Sequence, residues 1–226
     1  MQIAIPLYDR FTALDAVGPY EVLVRLPGAT VTFVGERTGP VRTETGALAI
    51  TVDATLAEVA SPDVIVVPGG PGTRAMLEPG PLHEWVRAAH PTTRWTTSVC
   101  TGALILGTAG VLHGLEATTH WSSLDLLAPL CAEAVGDRRV IPQGKVVTAA
   151  GVSSGIDMAL WLAAQIAGDD VAKAIQLGIE YDPQPPFDSG STAKADPDIV
   201  ELVRALATDP DPESDPDTES QQVPAP

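Results

Sequence analysis

The chain has 226 residues, of which 45% are hydrophobic, and its 13 basic and 29 acidic residues give a net charge of −16. That length suits one domain with a sizeable core. The negative charge and the lack of a Lys/Arg cluster argue against nucleic acid or an anionic membrane as a partner. We see no basic leader, no apolar run of about 18 residues and too few cysteines for a disulfide framework, so we expect a soluble cytoplasmic protein with free thiols.

Short apolar or β-branched runs alternate with segments of helical spacing along most of the chain. Predicted strands cover residues 2–7, 30–34, 47–52, 63–67, the run ending at 99, 117–119, 139–141 and 146–149. Predicted helices cover residues 14–26, 81–89, the segment after Cys100, 155–167 and 170–177. This alternation indicates a parallel α/β sheet with right-handed crossover connections.

The last part of the chain differs in composition from the rest. From residue 208 onward it holds six acidic residues, several prolines and no basic residue. Such a segment buries too little apolar surface to offset the entropy lost on ordering. We therefore predict one α/β domain over residues 1–207 and a disordered, acidic, proline-rich tail over residues 208–226.

Cys100 occupies the most informative position, because a β-branched run ends there and helix formers begin almost at once, from Ala103. A strand that turns sharply into a helix has the geometry of a nucleophile elbow, here with cysteine in place of the usual serine. A cleft and the positive end of the helix would both favour the thiolate. The alternative is a small buried core thiol, which is our interpretation of Cys131.

A glycine-rich loop at residues 69–72 follows a continuous apolar strand. Ligand crevices in open α/β sheets lie at the carboxyl ends of strands. The backbone N–H groups of Gly70 and of Thr101 or Gly102 are therefore candidates to converge near the sulfur and stabilise negative charge on a substrate. The alternative for the loop is an ordinary tight turn.

Two further titratable residues follow predicted strands. Asp15, after the first strand, is either an N-cap of the next helix or a crevice carboxyl group that exchanges a proton with substrate or water. His120, which ends a later strand, either approaches the crevice or is a structural histidine held by hydrogen bonds. The sequence leaves both choices open.

Neither a metal nor an organic cofactor is predicted. The four histidines and two cysteines show no metal-ligand spacing. The glycine fingerprints of dinucleotide-binding and P-loop proteins are missing as well, which disfavours NAD and ATP.

Four motifs resemble those of the ThiJ/PfpI superfamily, whose members share a class I glutamine amidotransferase-like fold. They are VVPGGPG at 66–72, SVCTGA at 98–103, ATTHW at 117–121 and AGVSSGID at 150–157. Within that superfamily the chain is most similar to isonitrile hydratases, through LDAVGPYEV at 14–22, Cys-Thr at the elbow and IQLGIEYDPQPPF at 175–187. The resemblance spans about residues 2–206. It implies a flavodoxin-like three-layer α/β/α sandwich with a mostly parallel central sheet, and a homodimer.

The resemblance also implies an activity and the residues that carry it. In isonitrile hydratases the elbow cysteine, the aspartate after the first strand and the threonine after the cysteine form the functional set, which here is Cys100, Asp15 and Thr101. The implied reaction adds water to a small isonitrile and gives an N-substituted formamide through a covalent cysteine thioimidate. We assign substrate or oxyanion binding to Gly70, Gly102 and His120. A cysteine-based redox sensor or regulator of the same fold and a glyoxalase-like lyase are the alternatives.

Overall fold

The structure is a computed structural model that describes residues 1–208. It divides into two units, residues 1–182 and a second unit that begins at Pro183. Apart from Thr208, the predicted acidic tail lies outside the described residues. None of the described helices is long and apolar enough to cross a membrane.

Within residues 1–182 seven strands form one sheet. In spatial order they are β10 (Val140–Gln143), β11 (Val146–Ala149), β7 (Trp95–Val99), β6 (Val64–Val67), β1 (Gln2–Pro6), β2 (Thr30–Gly35) and β5 (Ala54–Thr55). Neighbouring strands pair in parallel except β10 and β11, which form an antiparallel pair at one edge. All four residues of β6 are buried, which accounts for its uninterrupted apolar sequence.

Helices cover both faces of this sheet. One face carries α1 (Ala13–Leu23), α5 (Ser154–Ala167) and α6 (Asp169–Gly178), and the other carries α2 (Pro81–Ala89), α3 (Gly102–Thr108) and α4 (Leu124–Leu127). The first face buries side chains such as Leu23 and Met158, and the second buries side chains such as Val86 and Leu104. The predicted three-layer α/β/α sandwich with a mostly parallel sheet is confirmed.

Several elements lie outside the central sheet. Strands β3 (Gly39–Arg42) and β4 (Ala49–Val52) form an antiparallel hairpin, and β8 (Glu116–Ala117) pairs in parallel with β9 (Glu133–Ala134). The runs predicted at 47–52 and 117–119 therefore do contain strands, but placing them in the parallel sheet was wrong. The short connection between β3 and β4 permits only a hairpin, because a parallel crossover needs a dozen or more residues. In the second unit, α7 (Pro197–Thr208) forms where the sequence analysis predicted no element.

Three adjacent strands bring the chain's candidate residues to one edge of the sheet. Strands β1, β6 and β7 are neighbours and run parallel, so their carboxyl ends lie side by side. Asp15 follows β1, the glycine loop follows β6, and Cys100 follows β7. This is the edge at which open α/β sheets bind their ligands.

We expect Gly102→Ala to lower the free energy of unfolding by about 1–3 kcal/mol, the usual cost of overpacking a tight site. A Cβ at Gly102 would lie 2.2 Å from the carbonyl oxygen of Val67, which belongs to the central strand β6 and cannot readily move. Urea denaturation measures the change. Gly178→Ala is the matched control, because a Cβ at that helical position meets no atom within 4 Å. Equal stabilities of the Gly102→Ala variant and the parent would contradict this close approach.

Candidate active site

Cys100 adopts the backbone conformation of a nucleophile elbow. Its φ is 56°, in the left-handed region that a non-glycine residue adopts only when its surroundings impose it. Its N–H lies 3.1 Å from the carbonyl oxygen of Ala149 and 2.9 Å from that of Ala150, and its carbonyl accepts a 2.8 Å hydrogen bond from the Thr119 hydroxyl. These contacts hold the turn from both sides. The residue is 5% exposed.

The Asp15 side chain is completely buried beside the Cys100 thiol. Its Oδ2 accepts a 2.8 Å hydrogen bond from the Gly69 N–H, while Oδ1 has no hydrogen-bond partner among the described residues. Helix α1 has Thr12 at its N-cap position, so the interpretation of Asp15 as the N-cap is wrong. The carboxyl group instead lies between the Gly69 N–H and the Cys100 thiol, and its exchange of a proton with substrate or water stays a prediction.

Gly69 allows these groups to meet, and the sequence analysis did not single it out. A Cβ at this position would lie 2.5 Å from the Thr101 nitrogen, 2.7 Å from the Thr101 hydroxyl and 2.9 Å from Asp15 Oδ2. Any side chain here would collide with both neighbours at once. The sequence does not distinguish Gly69 from the other glycines of its loop. Its importance becomes visible only in the folded structure, where the segments carrying Asp15 and Thr101 pack against it.

Thr101 links the elbow to the glycine loop. Its hydroxyl oxygen accepts a 2.8 Å hydrogen bond from the Gly70 N–H and lies 3.2 Å from the Gly70 carbonyl oxygen as a donor. The same hydroxyl and the Thr101 N–H interact with the Cys100 thiol. The Gly70 N–H is therefore already engaged in a hydrogen bond with Thr101, and Gly102 packs against the end of β6. Direct binding of substrate charge by Gly70 or Gly102 stays a prediction.

Val152 supplies a further backbone donor that the sequence analysis missed. Its N–H interacts with the Cys100 thiol, on the segment that follows β11. Its φ of 36° is a strained conformation for a β-branched residue. The motif at 150–157 marked this segment, but no residue type in it signals that the N–H of a valine points at sulfur.

His120 lies at the border of the site. A Cβ at Gly151 would lie 2.6 Å from His120 Cδ2, so the imidazole ring covers the backbone just before Val152. Its Nδ1 lies 2.8 Å from the Ser122 hydroxyl and accepts a 3.3 Å hydrogen bond from the Ser122 N–H. Burial lowers the pKa of His120, and nearby Arg74 lowers it further. These hydrogen bonds agree with the interpretation of His120 as a structural histidine, and its contact with substrate stays a prediction.

Burial controls the protonation of the central pair. It raises the pKa of Asp15 to about 7, and the charge of Glu44 raises it as well, against the lowering effect of the Gly69 and Cys100 hydrogen bonds. Burial also raises the pKa of Cys100 to about 12, and Asp15 adds to this effect. The expectation of a thiolate in the free protein is therefore wrong. Between these two pKa values the pair retains a single proton.

The site combines three chemical capabilities. A thiol at position 100 can act as a nucleophile, the Asp15 carboxyl group can take and return a proton near neutral pH, and the N–H groups of Val152 and Thr101 can stabilise negative charge on sulfur. The predicted set of Cys100, Asp15 and Thr101 is brought together in space. Across residues 1–208, no three His, Cys, Asp or Glu side chains are arranged to hold a metal ion.

The fold and the strained turn place this chain among the three-layer α/β/α proteins that carry a cysteine at a strand-to-helix elbow. The chain belongs to the DJ-1/PfpI family, whose model it matches over residues 1–165. It is 42% identical over 207 residues to an isonitrile hydratase from Pseudomonas putida, covering 92% of this chain and 90% of that protein. A ThiJ/PfpI family protein from Pseudomonas syringae has a similar crystal structure, with a TM-score of 0.86, 35% identity and coverage of 91% and 86%. Drosophila melanogaster DJ-1beta shares the fold at a TM-score of 0.71, 24% identity and coverage of 80% and 98%.

We expect Asp15→Asn to stabilise the protein at pH 8 by about 2–4 kcal/mol relative to the parent, and by much less at pH 4. The folded pKa of Asp15 lies above that of an unfolded aspartate, so between about pH 4 and 7 the folded state retains a proton that the unfolded chain has released. The free energy of unfolding therefore falls as the pH rises through this window. Asparagine keeps an acceptor for the Gly69 N–H and does not titrate. Guanidinium denaturation at the two pH values measures the difference.

The control for this experiment is Asp125→Asn, which changes an exposed carboxylate on α4. It should give the same small effect at both pH values. A stabilisation by Asp15→Asn that is independent of pH would show that the carboxyl group is not protonated in the way described.

We also expect Asp15→Asn to accelerate alkylation of Cys100 by iodoacetamide at pH 9. The Asp15 charge raises the pKa of the thiol, so its removal increases the thiolate fraction, by roughly tenfold for each unit by which the pKa falls. Both proteins carry Cys131→Ala, so that Cys100 is the reacting thiol, and mass spectrometry follows the reaction. An equal rate of alkylation in the two proteins would show that the two groups do not interact, and a slower rate in the Asp15→Asn protein would show that Asp15 assists the reaction as a base.

Proposed function

We propose that this protein is an isonitrile hydratase, a carbon–nitrogen hydro-lyase that adds water to an isonitrile and releases an N-substituted formamide. The observation that carries the proposal is the buried Asp15–Cys100 pair, which retains one proton between its two pKa values. The similarity to the Pseudomonas putida protein supports the same activity. The predicted homodimer and cytoplasmic location stay predictions.

The first step joins the thiol to the isonitrile. The Cys100 sulfur bonds to the terminal carbon, which is electrophilic toward a soft nucleophile. The S–H bond breaks as the Asp15 carboxylate accepts the proton, and Asp15 then delivers this proton to the same carbon. The S–C and C–H bonds are complete at that point, and the intermediate is a covalent thioimidate, R–N=CH–S, on the enzyme.

The second step adds water to the thioimidate carbon. The Asp15 carboxylate accepts a proton from the attacking water and delivers it to the nitrogen, which gives R–NH–CH(OH)–S and leaves Asp15 ionised again. The C–S bond then breaks, the hydroxyl proton returns through Asp15 to sulfur, and R–NH–CHO leaves. The free Oδ1 of Asp15 gives the carboxyl group an unused position for this exchange.

Donors around the sulfur stabilise the charge that develops when the C–S bond forms and breaks. The N–H groups of Val152 and Thr101 interact with the thiol, and so does the Thr101 hydroxyl, which also contacts the glycine loop. Preformed dipoles in a water-poor site stabilise such charge better than water does. We assign to Thr101 the additional role of orienting the attacking water.

The electrostatics of the site favour this function over that of a peroxide sensor. Sensor cysteines react as exposed thiolates with a low pKa. Burial instead raises the pKa of Cys100 to about 12 and leaves the residue 5% exposed. A neutral thiol that gives up its proton only to Asp15 suits a nucleophile that is activated by substrate binding.

We expect the purified protein to convert an alkyl or aryl isonitrile to the matching formamide, and Cys100→Ala to abolish turnover while leaving the unfolding midpoint unchanged. Mass spectrometry detects the formamide and, after rapid quenching, the thioimidate adduct on Cys100. Cys131→Ala is the matched control and should retain full activity, because that thiol lies outside the site and contacts the Leu127 carbonyl. Turnover by Cys100→Ala would refute the covalent step, and methylglyoxal consumption without formamide would favour the glyoxalase-like alternative.

A further inference from the structure

Glu44 is a half-buried carboxylate that neither the sequence analysis nor the reaction scheme includes. It follows β3 in the connection of the β3–β4 hairpin. Its Oε2 accepts a 3.0 Å hydrogen bond from the N–H of Ala13, the first residue of α1, and its own N–H donates to the Phe11 carbonyl at 2.9 Å. Two bonds therefore tie Glu44 to the segment that leads into the helix carrying Asp15.

The hairpin holds this whole segment, and not only its end. The Arg10 N–H donates to the Arg42 carbonyl at 3.0 Å, and Phe11 forms a parallel bridge with Thr43. On its other side, the segment is held by a 2.8 Å hydrogen bond from the Thr12 N–H to the Gly69 carbonyl. The first turn of α1 is thus fixed between the hairpin and the glycine loop.

This arrangement brings the half-buried Glu44 carboxylate to the first turn of α1, which also carries the fully buried Asp15 carboxyl group. Like charges repel, which favours the protonated form of the more deeply buried group. The Glu44 charge accordingly raises the pKa of Asp15, after the larger effect of burial. The other titratable groups that interact with Asp15 are the Cys100 thiol and Tyr8, whose hydroxyl donates to the Pro68 carbonyl at 2.7 Å. Burial raises the pKa of Tyr8 well above its ordinary value, so this phenol adds no charge at neutral pH.

We propose that Glu44 is a positioning residue for the catalytic pair: its carboxylate fixes the first turn of α1, and its negative charge makes Asp15 a stronger base toward the Cys100 proton. A general base works best when its proton affinity approaches that of the group it deprotonates. The Glu44 charge reduces the difference in proton affinity between Asp15 and the Cys100 thiol, and Glu44 does this without contacting substrate. The catalytic part of this proposal rests on the function proposed above. The effect of Glu44 on the proton affinity of Asp15 is independent of that function.

Glu44→Gln separates the two roles, because glutamine keeps an acceptor for the Ala13 N–H and loses the charge. We expect the titration midpoint of Asp15, followed by carboxyl ¹³C NMR and assigned with Asp15→Asn, to fall by about one pH unit. The rising limb of kcat/KM, near pH 7 in the parent, should move to lower pH by the same amount, with a plateau about threefold lower. At a pH of about 5, where Asp15 is protonated in both proteins, the melting temperature should stay near that of the parent.

Two further variants complete the test. Glu44→Ala removes both charge and acceptor, so it should shift Asp15 in the same direction and also lower the melting temperature. Glu84→Gln, on the exposed side of α2, is the control and should leave every readout unchanged. An unchanged Asp15 titration in Glu44→Gln would overturn the proposal and leave Glu44 as a helix anchor. A shifted titration without isonitrile turnover in any variant would support the role of Glu44 and overturn only the proposed function.

Discussion

The site depends on the burial of an aspartate against a thiol. Water would solvate both groups in their charged forms, and its exclusion favours the proton-bearing form of each. The Gly69 N–H offsets part of this effect by donating to Asp15, and the N–H groups of Val152 and Thr101 do the same for Cys100. Because the opposing effects do not cancel, the pair retains one proton across the neutral and alkaline range.

This protonation state changes the interpretation of the elbow. The helix that begins after Cys100 has only seven residues, and its dipole does not compensate for the loss of solvent around the sulfur. The thiol is therefore a weak nucleophile until a base accepts its proton. In the proposed reaction Asp15 accepts that proton, which makes the two residues one functional unit that depends on the loops holding them in place.

The sequence predicted the residues whose location depends only on strand ends. Cys100 and Asp15 each follow a strand, and parallel neighbours place their ends together. Gly69, Val152 and Glu44 could not be found in this way, because their importance arises from close approach, an unusual φ and a contact from a separate hairpin. The same limit affected the fold. The run at 47–52 has the composition of any strand, and only pairing reveals that it belongs to a hairpin outside the sheet.

The high pKa of the Cys100 thiol depends on a closed edge of the sheet. The groups that suppress the acidity of this sulfur come from distant parts of the chain and surround it only while the carboxyl ends of the strands stay closed together. When that edge opens, the sulfur regains the acidity of an ordinary cysteine and meets solvent. The ionisation of this one atom thus reports whether the edge of the sheet is closed.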